Sequence, residues 1–233
     1  QSEVSKDTAC TISIEVPQNY TIALYFNIFF LYNVECAKHA IKAYDGPGED
    51  RLIGEYCNFV TPNPIFTLTN VLRLVIPAID REFVSLSLDA TYVATDQGRG
   101  CGGELFSYGG IFTSPLYPNN NRTRMECLWT VRVPTNLVVA LRFDVFDLGS
   151  KSSCGTDYLQ ILDKPDEELA DTSNTGADKE KVVRQHCGNE KPANYISNNN
   201  VVQVRYKKTQ NFAGVGWMIK YISIEKGATV NDY

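Results

Sequence analysis

An internal repeat limits what this chain can fold into more than any other feature. The stretch Cys127 to Asp163, CLWTVRVPTNLVVALRFDVFDLGSKSSCGTDYLQILD, has an earlier counterpart at Cys10 to Asp45, CTISIEVPQNYTIALYFNIFFLYNVECAKHAIKAYD. In both, a Cys leads a hydrophobic alternation into Val-Pro. An aromatic-rich strand pattern follows, then a second Cys and another short strand pattern. A fold that serves one copy must serve the other, so two similar domains are expected. The 233 residues suffice to give each its own core.

The repeat reads as strands. Ile12, Ile14 and Val16 alternate with Thr11, Ser13 and Glu15 until Pro17 ends the run. Ile22, Leu24, Phe26 and Ile28 share one parity, hence one sheet face, and are expected in the core. Tyr25, Phe29 and Leu31 on the other parity are also apolar, whereas the matching positions of the second copy include Arg142 and Asp144. That outer face is either ordinary aromatic surface or a face covered by the other domain or a partner.

Asp45-Gly46-Pro47-Gly48 is a chain reversal. Further strands are expected at 52–56, 68–76, 84–93, 201–206 and 216–224, and no segment carries a convincing helical period. Short strands punctuated by turns imply an all-β chain, with an antiparallel sandwich in each half. The first domain is expected at 1–95, after a polar terminus, and a linker at 96–100 is short enough to restrict relative motion. The second runs from 101 to 226, with a polar insertion at about 163–181, DKPDEELADTSNTGADKEK, that has little to bury. The terminal residues 227–233 are expected to fray.

The chain carries 22 Lys plus Arg against 27 Asp plus Glu, which argues against nucleic-acid binding through phosphate neutralisation. The imbalance lies in residues 1–95, with 6 basic and 11 acidic side chains; residues 96–233 hold 16 of each and are the better home for a basic patch. Seven widely separated cysteines, without a C-x-x-C or a Cys/His cluster, read as disulfide formers and not as a zinc site. With the sequons at Asn19 and Asn121 they point to the secretory route and an extracellular, glycosylated protein. No signal peptide is visible, and Gln1 fits either the start of a processed chain or an artificial boundary. The longest apolar run, residues 22–34, is broken by Asn27 and is short of the ~20 residues of a membrane helix, so no membrane span is expected.

From Cys101 onward the second half resembles a CUB domain. The resemblance rests on CGG at 101–103, Tyr108-Gly109-Gly110 with Ser114-Pro115-Leu116-Tyr117-Pro118, and Glu126-Cys127-Leu128-Trp129. It continues through residues 143–148, Cys154 with Asp157-Tyr158-Leu159, Cys187-Gly188, and Gly214-Val215-Gly216-Trp217. It implies two antiparallel sheets in a jelly-roll-like sandwich, with Cys101 bonded to Cys127 and Cys154 to Cys187. The first half resembles the family more weakly: Cys10 matches Cys127, Cys36 matches Cys154 and Cys57 matches Cys187, which implies a Cys36–Cys57 bond. It has no equivalent of residues 101–118. Either its start has been removed, or the domain is naturally short and Cys10 is free or bonded elsewhere. A neighbouring domain or a second chain is then expected to cover the exposed edge, including a disulfide-linked or packed dimer through the first domain.

Many CUB domains hold calcium through a Tyr, a Glu and two Asp, and the resemblance places Tyr108 and Asp157 in two of those roles. Gly149 stands at the Glu position and Thr209 at the second Asp position. In the first half His39 replaces Asp157, the Glu position falls near Tyr32 or Asn33, and Asp80 is the remaining carboxylate. Calcium takes about six to eight oxygen ligands, so no tight metal site and no cofactor are expected; Asp157 is expected to bond nearby backbone amides instead.

Catalysis finds little support. The two histidines, His39 and His186, lie near no nucleophile motif, and Asp166-Glu167-Glu168 fall in the polar insertion. Arg205, Lys207 and Lys208, with Arg122 and Arg124 nearby, are either a docking patch for an acidic protein or sulfated glycan or an ordinary solvated face. The expected function is non-enzymatic recognition of an extracellular protein or glycan. The alternative is the non-catalytic regulatory region of a larger secreted protease or receptor, and a structural subunit of an extracellular coat is a third reading.

Overall fold

The computed structural model describes residues 9–32, 35–78, 85–119, 123–164, 182–209 and 213–228. The chain divides into two compact units, Gln1–Arg99 and Gly100–Tyr233.

Unit 1 contains β1 (Cys10–Glu15), β2 (Thr21–Tyr32), one helical turn α1 (Cys36–His39), β3 (Ile41–Asp45), β4 (Leu52–Tyr56), β5 (Ile65–Phe66), β6 (Val71–Ile76) and β7 (Ser85–Thr95). These form a four-stranded sheet β1-β6-β3-β4 and a three-stranded sheet β5-β2-β7. Their inner faces share one core, in which Ile22, Leu24 and Phe26 of one sheet pack with Ile41, Leu72 and Leu74 of the other.

Unit 2 contains β8 (Gly103–Leu105), β9 (Gly109–Thr113), β10 (Met125–Arg132), β11 (Leu137–Asp147), a 3-10 turn (Lys151–Ser153), β12 (Tyr158–Lys164), β13 (Val182–His186), β14 (Tyr195–Ile196), β15 (Val201–Lys208) and β16 (Gly216–Glu225). Its sheets are β13-β12-β15-β10-β8 and β14-β11-β16-β9. Antiparallel pairing holds throughout both units' ladders except for β8, which runs parallel to β10. The core is aromatic: Phe112 lies edge-on to Trp217 at 5.5 Å, and Trp129 meets Trp217 at 4.9 Å. Such contacts add to the area each large ring removes from water.

A β-bulge corrects the expected face of β2. Its register against β7 shifts between Phe26 and Ile28, so one residue is skipped and the parity reverses. Ile28 is therefore 51% exposed, not core, while Phe29 and Leu31 turn inward and are buried. β11 shifts at the matching place, between Phe143 and Val145, and turns Phe146 inward. Upstream of the bulge, Tyr25 is buried and meets Phe66 edge-on. Its counterpart Arg142 is exposed and pairs with Asp144 at 2.9 Å.

Both units close one corner with the same bonds. In unit 1 the Asp45 carboxylate accepts from the Leu68 and Thr69 amides and the Thr69 hydroxyl. Thr67 Oγ1 accepts from Ile22 N at 2.8 Å, and Asn70 Nδ2 donates to Val16 O at 2.8 Å. In unit 2 Asp163 accepts from the Asn198 and Asn199 amides, Ser197 Oγ accepts from Val139 N, and Asn200 donates to Val133 O. The bonds explain why the strand expected from residue 68 starts only at Val71. Leu68 and Thr69 give their amides to Asp45, not to a ladder.

Candidate functional site

One end of unit 2 gathers the exit of β11, the 3-10 turn, the start of β12, the end of β15 and the start of β16. Asp147, the last residue of β11, accepts from Gly149 N at 2.9 Å and from Val215 N at 3.3 Å. Gly149 has φ +80°, and a Cβ on Gly214 would collide with the Asp147 carbonyl. Glycine thus sets a left-handed turn at 149 and a close backbone approach at 214. Leu148 N donates to Gly188 O at 2.8 Å, beside the Cys154–Cys187 disulfide.

The 3-10 turn delivers Asp157, whose amide donates to Ser153 O at 2.8 Å. Its buried carboxylate accepts from the Thr209 amide at 2.5 Å and from the hydroxyls of Thr209 and Thr156, each at 3.3 Å. Asp157 directly precedes Tyr158, which lies opposite Lys207 at the start of β12, and Thr209, whose amide it accepts, directly follows Lys208 at the end of β15. Lys208 is only 3% exposed. Burial lowers the pKa of its ammonium, and the Asp157 carboxylate partly opposes that shift. Burial, reinforced by Asp157, raises the pKa of the Tyr206 hydroxyl.

These residues do not fit a calcium ion. Gly149 brings no oxygen from its side chain, and a glutamate there would have to adopt a strained left-handed backbone. Thr209 stands at the second carboxylate position and is already bonded to Asp157. Tyr108 lies at the wrong end: its carbonyl accepts from Ser223, seven residues along β16 from Gly216, roughly 24 Å at ~3.4 Å per residue. Its side chain is 70% exposed. The tyrosine beside Gly216 is Tyr117, which follows β9 by four residues and was legible in Ser114-Pro115-Leu116-Tyr117-Pro118. Among the described residues no three His, Cys, Asp or Glu side chains cluster to hold a metal.

At the matching end of unit 1, Cys36 is bonded to Cys57. His39, at the Asp157 position, ends α1, and its Nδ1 is enclosed without a hydrogen-bond partner. Asn33, Asp80 and the side chain of Tyr32 lie outside the described residues, as do Asn121, Arg122 and the insertion at 165–181. Asn19 is exposed in the turn before β2, with φ +75°. Cys101 is bonded to Cys127, and Cys10 is exposed and free.

Arg205, Lys207 and Lys208 do not form one patch. The two-residue period of β15 puts Arg205 and Lys207 on the outer face and turns Lys208 inward with Tyr206. Lys207 lies 3.9 Å from the Glu126 carboxylate and 5.9 Å from the centre of the Tyr158 ring.

Two disulfide-bonded β-sandwiches built on one repeat define a tandem of like modules. The CUB domain model matches residues 1–92 and 101–221, and the chain belongs to the CUB domain family. It is 38% identical over 224 residues to the Cubilin homolog of Drosophila melanogaster, covering 95% of this chain and 6% of that protein. Against Cubilin of Homo sapiens it is 29% identical over 203 residues, covering 86% of this chain and 5% of the relative. The chain thus spans a small fraction of the length of both relatives. Among solved structures, the CUB1-EGF-CUB2 domain of human MASP-1/3 aligns over 94% of each chain at 21% identity, with a TM-score of 0.44.

Proposed function

We propose that the chain is a non-enzymatic region of a secreted protein, and that it uses its CUB domains to bind an extracellular protein. Membership of both halves in the CUB family carries this reading. Three disulfides support an oxidising compartment, and no helix among the described residues is long and apolar enough to cross a membrane. His186 is half-buried, with its ring edge-on to Phe143 and Phe146 and its Nε2 enclosed without a hydrogen-bond partner, which is not the placement of an exposed base. The alternative reading, a regulatory region of a larger secreted protease or receptor, is kept by the small share of the cubilin relatives that the chain spans.

The test is saturable capture of a protein from native extracellular fluid, followed by rebinding of the purified ligand. Heparin should not compete. Salt-sensitive retention on heparin that is lost on Arg205→Glu with Lys207→Glu would replace the protein ligand by a sulfated glycan. The absence of any saturable ligand would end both versions. Non-reducing electrophoresis of the same samples reports whether Cys10 links two chains.

A further inference from the structure

At the end of unit 2 that carries the Cys154–Cys187 disulfide, a histidine ring lies between the two sheets. His186 closes β13, the last strand of its sheet, and stands opposite Leu159, which is fully buried. Its ring reaches β11 in the other sheet, with centroids 5.6 Å from Phe143 and 6.2 Å from Phe146, and its Nε2 is enclosed without a hydrogen-bond partner. We infer that His186 is an acid-sensitive wedge: its protonation drives the ring out from between the sheets and loosens the end of β13 together with the loop that packs on it.

Unit 1 shows the same slot filled by a group that does not titrate in acid. Tyr56 precedes Cys57 as His186 precedes Cys187, and stands opposite Ile41 as His186 stands opposite Leu159. It meets Phe26 at 5.9 Å, the counterpart of the Phe143 contact. A phenol stays neutral throughout the acid range, whereas an imidazole gains its charge near pH 6.5. An imidazolium carries an N–H on both nitrogens, and the one at Nε2 has no acceptor. Phenyl rings are weak acceptors and do not replace the water that the charge would lose. Burial first, and then the Arg184 guanidinium on the same strand, hold the ring's pKa below its ordinary value. The residues met on β11 and β12, Phe143, Phe146 and Leu159, do not titrate. The other charges of this end are engaged elsewhere: Asp157 accepts from Thr209, Asp147 from Gly149 and Val215, and Lys151 pairs with Glu190 at 2.7 Å. Arg184 itself lies 5.2 Å over the Tyr195 ring, whose hydroxyl donates to Asp163.

What protonation releases is local. Leu148 N donates to Gly188 O at 2.8 Å, so the segment just past His186 is tied to the loop that leaves β11. The Cys154–Cys187 bond persists in acid and keeps the freed segments tethered, so the change is a reversible opening. Because the folded pKa lies below the unfolded one, the stabilisation is full above the unfolded value of about 6.5 and is lost as the pH falls from there through the folded value. The inference does not depend on the proposed binding function and stands or falls on different measurements.

The full chain with its disulfides intact is used for the test. Hydrogen exchange of residues 182–188, corrected for the intrinsic effect of pH, and urea unfolding followed by tryptophan fluorescence are measured between about pH 7.5 and about pH 5.5. Both tryptophans lie in unit 2, so the fluorescence reads that unit. In the parent the local opening equilibrium should rise several-fold as the pH falls, up to about tenfold per pH unit, the limit for one proton, and the urea midpoint should drop. His186→Tyr introduces the side chain that unit 1 carries in the same slot, and it should lose most of both effects. Where that variant does not fold, NMR titration of the parent's two imidazoles, told apart through His39→Gln, takes its place, and His186 should titrate below the ordinary value. Equal exchange of the parent at both pH values would overturn the inference. An unchanged pH dependence in His186→Tyr would do the same, as would titration of His186 at or above the ordinary value.

Discussion

Cys10 and Cys127 hold the same place in the two units, yet Cys127 is buried and bonded to Cys101 while Cys10 is exposed and free. The contrast extends inward. Trp129, two residues beyond Cys127, is buried between Phe112 and Trp217, whereas Ile12, two beyond Cys10, is 40% exposed. Tyr221 lies buried against Phe112, and its counterpart Tyr92, opposite Leu24 as Tyr221 is opposite Leu141, is 49% exposed. One cause accounts for all three differences. β8 and β9 each add an edge strand to one sheet of unit 2 and bring Phe112 between the layers. Among the described residues unit 1 has no counterpart of either, so β1 and β7 are sheet edges and the core-facing side chains beneath them meet water. An identical corner at Asp45 and Asp163 shows that the remainder of the sandwich tolerates this difference.

The largest test of that account is Phe112→Ala, which removes a buried ring from among Trp129, Trp217 and Tyr221 and should cost about 3–5 kcal/mol. Tyr92→Ala should cost under about 1 kcal/mol. Both tryptophans of the chain lie in unit 2, so urea unfolding followed by tryptophan fluorescence isolates the first effect; hydrogen exchange of β2 and β7 reads the second. Equal losses would dissolve the distinction between a filled and an unfilled layer.

Next in size, Cys101→Ala with Cys127→Ala should destabilise unit 2 by ~2–4 kcal/mol. Cys10→Ala should stay within about 0.5 kcal/mol of the parent under non-reducing conditions that keep the three disulfides intact. A large loss at Cys10 would mean that it already has a structural partner.

A third comparison addresses what the units share. Asp45→Asn should cost roughly 1.5–3 kcal/mol at neutral pH, since it weakens hydrogen bonds to a charged acceptor, and Asp163→Asn should cost about as much. Burial tends to raise the Asp45 pKa but is outweighed by the bonds from Thr69 and Leu68 and by Arg51, so the folded value lies below the ordinary one. A depressed carboxylate contributes stability above its unfolded pKa and loses it as the pH falls through the folded value. Unit 1 should therefore weaken below about pH 3.9, and Asp45→Asn should flatten that part of the acid titration of stability.

How much of this was legible depended on whether the signal was local. Cysteine positions, Val-Pro stops and the parity of Ile12, Ile14 and Val16 carry the repeat, and they locate β1, β2, β10 and β11 within a few residues. Strict alternation failed at Asn27, because a bulge inserts one residue without altering the composition that marks a strand. β5 and β14 were missed, since strands of two residues, Ile65–Phe66 and Tyr195–Ile196, carry no period. Tyr108 was assigned from its order in a motif, whereas its place at the far end of β16 depends on a long-range pairing that spacing does not encode. The inward turn of Lys208 was readable: it shares parity with Val204 and Tyr206, and a charge on the apolar parity of a strand is itself a signal.

The pairing of β9 with β16 also sets an order of events during synthesis. β9 leaves the ribosome about a hundred residues before the strand it pairs with, and Phe112 and Trp129 must wait for Trp217 and Tyr221. Contacts this distant in sequence close slowly, because a long loop has to be ordered first. The nascent second unit therefore carries an open aromatic layer until β16 emerges, and in that interval it most needs a chaperone.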